Sequence, residues 1–232
     1  KSSYIHKTIK GRFEETYNGE RLLDINRNFI ELYFFDEKNN KKVINSSYIF
    51  GIIRNLEALS VINKLQDLIV ASSTSGGVFL FKYNSENIIT RVSSHFFGRT
   101  GFRRIVPGYH LCNDSRGRVS ILAAIEKYRY IYTIDEHTPG IYSFSSPVEI
   151  QKSNSILCQM ISLDNNYNNP AFGTIEIDKN FKALKDAYKI SKFLIIYEFD
   201  LGLNMMISTH IDKISLEYAL IIPVLDIQHI IP

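Results

Sequence analysis

Residues 67–83 read DLIVASSTSGGVFLFKY. Two runs rich in Ile, Val and Phe flank a Ser-Gly-Gly junction, the pattern of an antiparallel hairpin: branched and aromatic side chains suit a pleated, buried surface, and the glycines allow the tight turn. The pattern returns along the chain. RVSILAAIEKYRYIYTI at 118–134 repeats it, PAFGTIEI at 170–177 with KFLIIYEF at 192–199 gives it again across a longer connection, and RLLDI with NFIELYFF at 21–35 is the earliest copy. The first strands of the three later hairpins start near Asp67, Val119 and Ala171, 52 residues apart, and the earliest begins about 47 residues before Asp67.

Each hairpin is followed by a further strand-like run (NIITRVSSHFF, GIYSFS, NMMIST) and then by one that opens the next unit (GYHLCND, ILCQMISLD, ALIIPVL). Four strands in about 50 residues is the signature of a β-propeller blade, in the range of WD40 and kelch repeats. The regular period favours this all-β fold over a sandwich or a simple barrel, which also contain many short strands. At about 50 residues per blade, 232 residues supply four to five four-stranded antiparallel, WD40-like blades, which makes the chain a small propeller or an incomplete one. A start at Lys1 and a stop at Pro232, just after an apolar run, favour the second. One segment reads differently: 178–192, DKNFKALKDAYKISK, carries Phe181, Leu184 and Tyr188 on a lysine-rich background and is expected to be a short helix or a mobile insertion.

Composition narrows the function. A formal net charge of +3 over 232 residues is too small for nucleic-acid binding by bulk electrostatics, so any basic function must be local. No apolar run approaches the ~18 residues of a membrane helix, and no membrane partner is expected. Neither a GxSxG elbow, an HExxH pair, a P-loop nor a CxxC occurs, the six histidines are scattered, and Cys112 and Cys158 sit apart in apolar runs as expected buried thiols. The expectation is a protein without catalytic residues, metal, cofactor or small-molecule substrate.

The chemistry that remains is cationic. Arg99, Arg103 and Arg104 lie in GRTGFRRIVPG (98–108), and Arg116 and Arg118 follow in NDSRGR, where Asp114 and Gly117 have turn chemistry. Glycines 98, 101 and 108 do not form GxGxxG and precede a strand, so a phosphate cradle at a helix start is not indicated. Neighbours such as Arg103 and Arg104 would point to opposite faces: one guanidinium would tie blades together by pairing with a carboxylate while the other faces solvent, or the cluster would touch phosphate or another partner. Phe102 and Tyr109 could offer a base a stacking surface.

Taken together, FFGRTGFRRIVPGYHLCNDSRGRVSILAAIEKYRYIYTI (96–134), SSPVEI (145–150), NNPAFGTIEID (168–178) and LIIYEFDLGLN (194–204) resemble, in order and spacing, the first propeller of the splicing factor 3b subunit 3 family. Similar architecture occurs in the cleavage and polyadenylation specificity factor large subunit and the damaged-DNA-binding adaptor of cullin ligases; RRIVPG and AIEK favour the splicing branch. The resemblance implies that residues 1–232 are the N-terminal portion of the first propeller of a larger, multi-propeller nuclear protein. It further implies a non-enzymatic scaffold that holds a helical-repeat large subunit and a very small subunit of the splicing factor 3b complex, supports branch-site recognition, and contacts pre-mRNA or small nuclear RNA indirectly. A nucleic-acid-binding propeller, or an adaptor in 3′-end processing or a cullin ubiquitin ligase, is the alternative.

Overall fold

The computed structural model describes residues 7–17, 19–49, 51–61, 64–98, 104–164, 168–178 and 191–223. All regular structure among them is β-strand, and every pairing is antiparallel. Strands β1 (Lys7–Gly11), β2 (Arg21–Asn26), β3 (Phe29–Phe35) and β4 (Lys41–Tyr48) form one four-stranded sheet in sequence order, and β5 (Ile53–Leu59), β6 (Leu68–Ser73), β7 (Gly77–Tyr83) and β8 (Ile89–Phe96) form a second. The remaining strands are β9 (His110–Asn113), β10 (Val119–Ala123), β11 (Glu126–Thr138), β12 (Ile141–Phe144), β13 (Val148–Leu163), β14 (Ala171–Asp178), β15 (Ser191–Asp200) and β16 (Met205–Ile214).

These last strands make two blades joined by one shared strand. Residues 148–152 of β13 pair with Ile131–Lys127 of β11 and close the third blade (β9-β10-β11-β13), whereas residues 155–163 pair with β14 and open the fourth (β13-β14-β15-β16). Burial peaks at the second strand, with β6 and β10 buried along their whole length, and falls toward the outer edge, where β4 and β16 are mostly exposed and β8 is half-exposed. Alternation within a strand therefore matters less than its place in the blade, because an inner strand is covered on both faces by neighbouring blades.

The second strands of the four blades begin at Arg21, Leu68, Val119 and Ala171, which is the period read from the hairpins. The innermost strands follow one another, β1 against β5, β5 against β9 and β9 against β13, while β1 and β13 share no comparable packing among the described residues. Three apolar clusters fill the structure. Ile9, Leu23, Ile25, Leu32, Leu56 and Phe79 lie between blades one and two; Leu59, Val70, Leu80, Leu122 and Tyr132 between two and three; and Ile121, Ile131, Leu157, Met160, Phe172 and Phe199 between three and four.

Two expectations change. GIYSFS is not the outer strand of blade three: β11 runs past the blade, turns at Gly140 (φ +83°) and folds back as β12, so that GIYSFS belongs to a projecting hairpin and the outer strand is 148–152. The expected helix at 178–192 falls mainly outside the described residues. Its ends are strand, with Asp178 of β14 paired to Ser191 of β15, and Ile177 to Lys192.

Candidate functional site

Gly108 shows what GRTGFRRIVPG does. Its φ is +100°, and a Cβ there would meet the Ser72 Cβ of blade two at 2.7 Å, so only glycine lets the strand entering blade three lie against β6. The Ser72 hydroxyl donates to the Gly108 carbonyl (2.8 Å), Arg54 Nη1 to the Val106 carbonyl (2.8 Å), and the Asn55 side-chain amide to the Tyr109 carbonyl (3.0 Å). Val106, Pro107 and Gly108 are buried against blade two. This end of the segment is a structural corner between blades.

The arginines are not one patch among the described residues. Arg99 and Arg103 lie outside them. Arg104 pairs with Glu126 at the start of β11, its side chain 62% exposed, and the Arg104 carbonyl accepts the Glu126 N–H (2.9 Å). Arg118 stands at the opposite end of β10, about 20 Å away at ~3.3 Å per strand residue. Its guanidinium grips Asp114 through Nε (2.7 Å) and Nη2 (3.1 Å), while Nη1 crosses to the Asn168 carbonyl of blade four (2.7 Å). Arg116 also reaches across, 3.6 Å from Asp164, and the Ser115 hydroxyl donates to the same carboxylate (3.2 Å). Arg118 is anchored by the turn residue Asp114 of its own blade, only 3% exposed, and reaches blade four through a backbone carbonyl; the contact to a carboxylate across the blades is that of Arg116 to Asp164. Gly117 faces the other seam, toward blade two: its φ is +68°, and a Cβ would lie 2.3 Å from the Ser60 carbonyl oxygen.

Charged residues not singled out in the sequence prove to be central. Glu176, 1% exposed on β14, faces Arg129, 4% exposed on β11 of the preceding blade, with Arg129 Nη2 2.8 Å from Oε1. The Tyr197 hydroxyl donates to Oε1 (2.9 Å) and Lys152 Nζ lies 2.8 Å from Oε2. Burial alone would raise the Glu176 carboxyl, but Arg129 and Lys152 outweigh it and bring it down to about 2. Burial likewise opposes the charge on Arg129, and the Glu176 carboxylate more than restores it. A cavity of about 270 Å³ opens beside this group, walled by Phe193, Ile195 and Ile211. A related pair joins the first two blades, where Asp67 accepts from the Arg12 N–H (2.8 Å) and from Nη2 (2.9 Å).

The remaining polar candidates are also seam groups. His110 sits between blades three and four, where its Nε2–H donates to the Leu157 carbonyl (3.1 Å); burial, with Arg129 and Arg54 nearby, pushes its pKa down to about 4. His95 Nδ1 meets the Tyr132 hydroxyl at 2.7 Å between blades two and three. Cys112 is buried and donates to the Met160 carbonyl (3.0 Å), and burial pushes its thiol up to about 12. Cys158, expected to be buried, is exposed on β13, at the bulge where the register with β14 shifts between Leu157 and Gln159. Among the described residues no group of three or more His, Cys, Asp or Glu is arranged to hold a metal ion.

The model of the RSE1/DDB1/CPSF1 first beta-propeller matches residues 4–230. The chain belongs to the RSE1/DDB1/CPSF1 first-propeller family. Within that family it is 31% identical over 227 residues to the probable splicing factor 3B subunit 3 of Dictyostelium discoideum, covering 91% of this chain and 18% of the relative. Splicing factor 3B subunit 3 of Drosophila melanogaster is 31% identical over 221 residues (93% and 18%), and spliceosome-associated protein 130 A of Arabidopsis thaliana 36% over 175 (73% and 14%). The chain thus spans under a fifth of the length of these curated relatives. The stretches that carry the resemblance coincide with the seams: NDSRGR holds Asp114 and Arg118, and NNPAFGTIEID holds the buried Glu176.

Proposed function

We propose that this chain is the N-terminal portion of the first propeller of a splicing factor 3b subunit 3-like protein, acting in pre-mRNA splicing as a non-enzymatic nuclear scaffold. The observation that carries the reading is similarity over nine-tenths of the chain to proteins named splicing factor 3B subunit 3. The geometry supports a scaffold: Arg118, Arg129, Glu176, Asp67 and His110 hold blades together rather than converging on a cleft, while the buried Glu14, Asp24 and Lys192 are engaged within their own blades. Blades fixed in this way present loops and rims at set angles, which suits the simultaneous holding of a helical-repeat large subunit and a very small subunit near the branch site.

Conditional depletion of the full-length protein, followed by sequencing of cellular RNA, tests this reading. Widespread intron retention is expected. Unchanged splicing with defective 3′-end cleavage would point instead to a polyadenylation-type role. A direct RNA contact has one feature in its favour, the exposed guanidinium of Arg104.

A further inference from the structure

Where the seam between blades two and three widens, a cavity of about 220 Å³ opens beside the RRIVPG corner. Tyr128 and Tyr130 are two apart on β11 and line it from one side, Phe97, just past the end of β8, from the other, and Val106 and Pro107 form part of its wall. Phe97 and Tyr130 are ring neighbours, with centroids 5.4 Å apart and planes at 35°. Glu149, the cross-strand partner of Tyr130, also lines the cavity. Its carboxylate accepts from the Gln151 amide (2.9 Å) and lies 3.4 Å from the Tyr130 hydroxyl.

Glu149 is the carboxylate that lines this cavity. Glu126, Glu136, Asp114, Asp164 and Glu176 each have a cation within 4 Å, and Glu149 has none among the described residues. A carboxylate beside aromatic faces attracts a cation twice, through its charge and through the ring quadrupoles. The same carboxylate opposes a phosphate, so a nucleotide is the weaker fit. A guanidinium fits best: it is planar, can stack on a ring such as Phe97, and still offers two N–H groups to one carboxylate.

We propose that this seam cavity is a docking pocket for an arginine side chain of a protein partner, with Glu149 as its anion and Phe97, Tyr128 and Tyr130 as its walls. The inference concerns a surface, and it stands whether or not the partner belongs to the splicing machinery. It is tested on the full-length protein by ligand-observed saturation-transfer NMR with Nα-acetyl-arginine amide. Nα-acetyl-citrulline amide serves as the neutral isostere and uridine monophosphate as the nucleotide probe. Glu149 is exposed, so E149Q should fold as the wild type does, and E86Q, in a distant turn, is the control.

The expected result is transfer to the arginine probe that weakens by about fivefold in E149Q, is kept in E86Q and is absent with citrulline. Equal transfer to citrulline, an unchanged signal in E149Q, or a stronger uridine monophosphate signal that depends on Tyr130 would each overturn the proposal.

Discussion

Replacing Arg129 with methionine removes the principal cation facing Glu176 while keeping the length and much of the apolar stem of the side chain. A carboxyl brought from 4.5 to about 2 in the folded state represents roughly 3 kcal/mol of favourable interaction at neutral pH. Breaking a buried pair by removing one member costs about 3–5 kcal/mol, because the other charge stays buried. Lys152 remains beside Oε2 and Tyr197 beside Oε1, so the lower figure is the appropriate one. The damage should be local, since Arg129 and Glu176 bridge only blades three and four. Hydrogen exchange read by mass spectrometry is therefore the assay, in peptides from β11, β14 and β15. A loss of about 3 kcal/mol should speed the slowest amides there roughly a hundredfold, while β2, β3 and β6 keep their wild-type rates. The double variant R129M/E176M should recover much of the protection, because it removes the stranded carboxylate along with its partner. Unchanged exchange in R129M, or a double variant looser than the single one, would refute the view that this pair ties the seam.

Three further outcomes follow from the seams. Gly117→Ala places a Cβ 2.3 Å from the Ser60 carbonyl at a positive φ, and should lower the denaturation midpoint by the equivalent of about 2 kcal/mol or more, measured by urea titration. His110 takes up its proton less readily when folded, so the stability it contributes is complete above about pH 6.5 and declines as pH falls toward 4; near-UV circular dichroism should record that loosening, and His110→Gln should flatten it. Arg104→Ala should change stability by less than about 0.5 kcal/mol, since the side chain is mostly exposed. If Arg104 touches RNA, the same variant should weaken binding and reduce the slope of log K against log salt by about one, as read by filter binding at several salt concentrations.

The period of the blades is legible in the sequence because hydrogen-bonded hairpins leave local marks: apolar runs, then Gly-Gly, Asp-x-x-Gly or Glu-Lys at the turns. The starts of β2, β6, β10 and β14 follow directly. The outer strand of blade three is not legible, because β11 continues past its blade into the β12 hairpin and β13 serves two blades in turn. Both depend on which residues find partners across the sheet. Charge placement is harder still. Glu176 on β14 sits 47 residues from Arg129, and only the stacking of consecutive blades brings them together. A single carboxylate inside an apolar strand, PAFGTIEI, was the available sign of a buried pair. The opposite error applies to the arginines: Arg104 and Arg118 are close in sequence, but a fully buried strand separates them. Whether any of Arg99, Arg103, Arg104, Arg116 or Arg118 meets a partner is a proposal to be tested, and the geometry already gives Arg118 structural work.

Affinity purification of the tagged full-length protein from nuclear extract, with quantitative mass spectrometry, tests most directly whether these blades belong to a splicing scaffold. Near-stoichiometric recovery of a helical-repeat large subunit and a very small subunit, together with other branch-site splicing proteins, is expected. Recovery of cullin or polyadenylation factors in their place would contradict it.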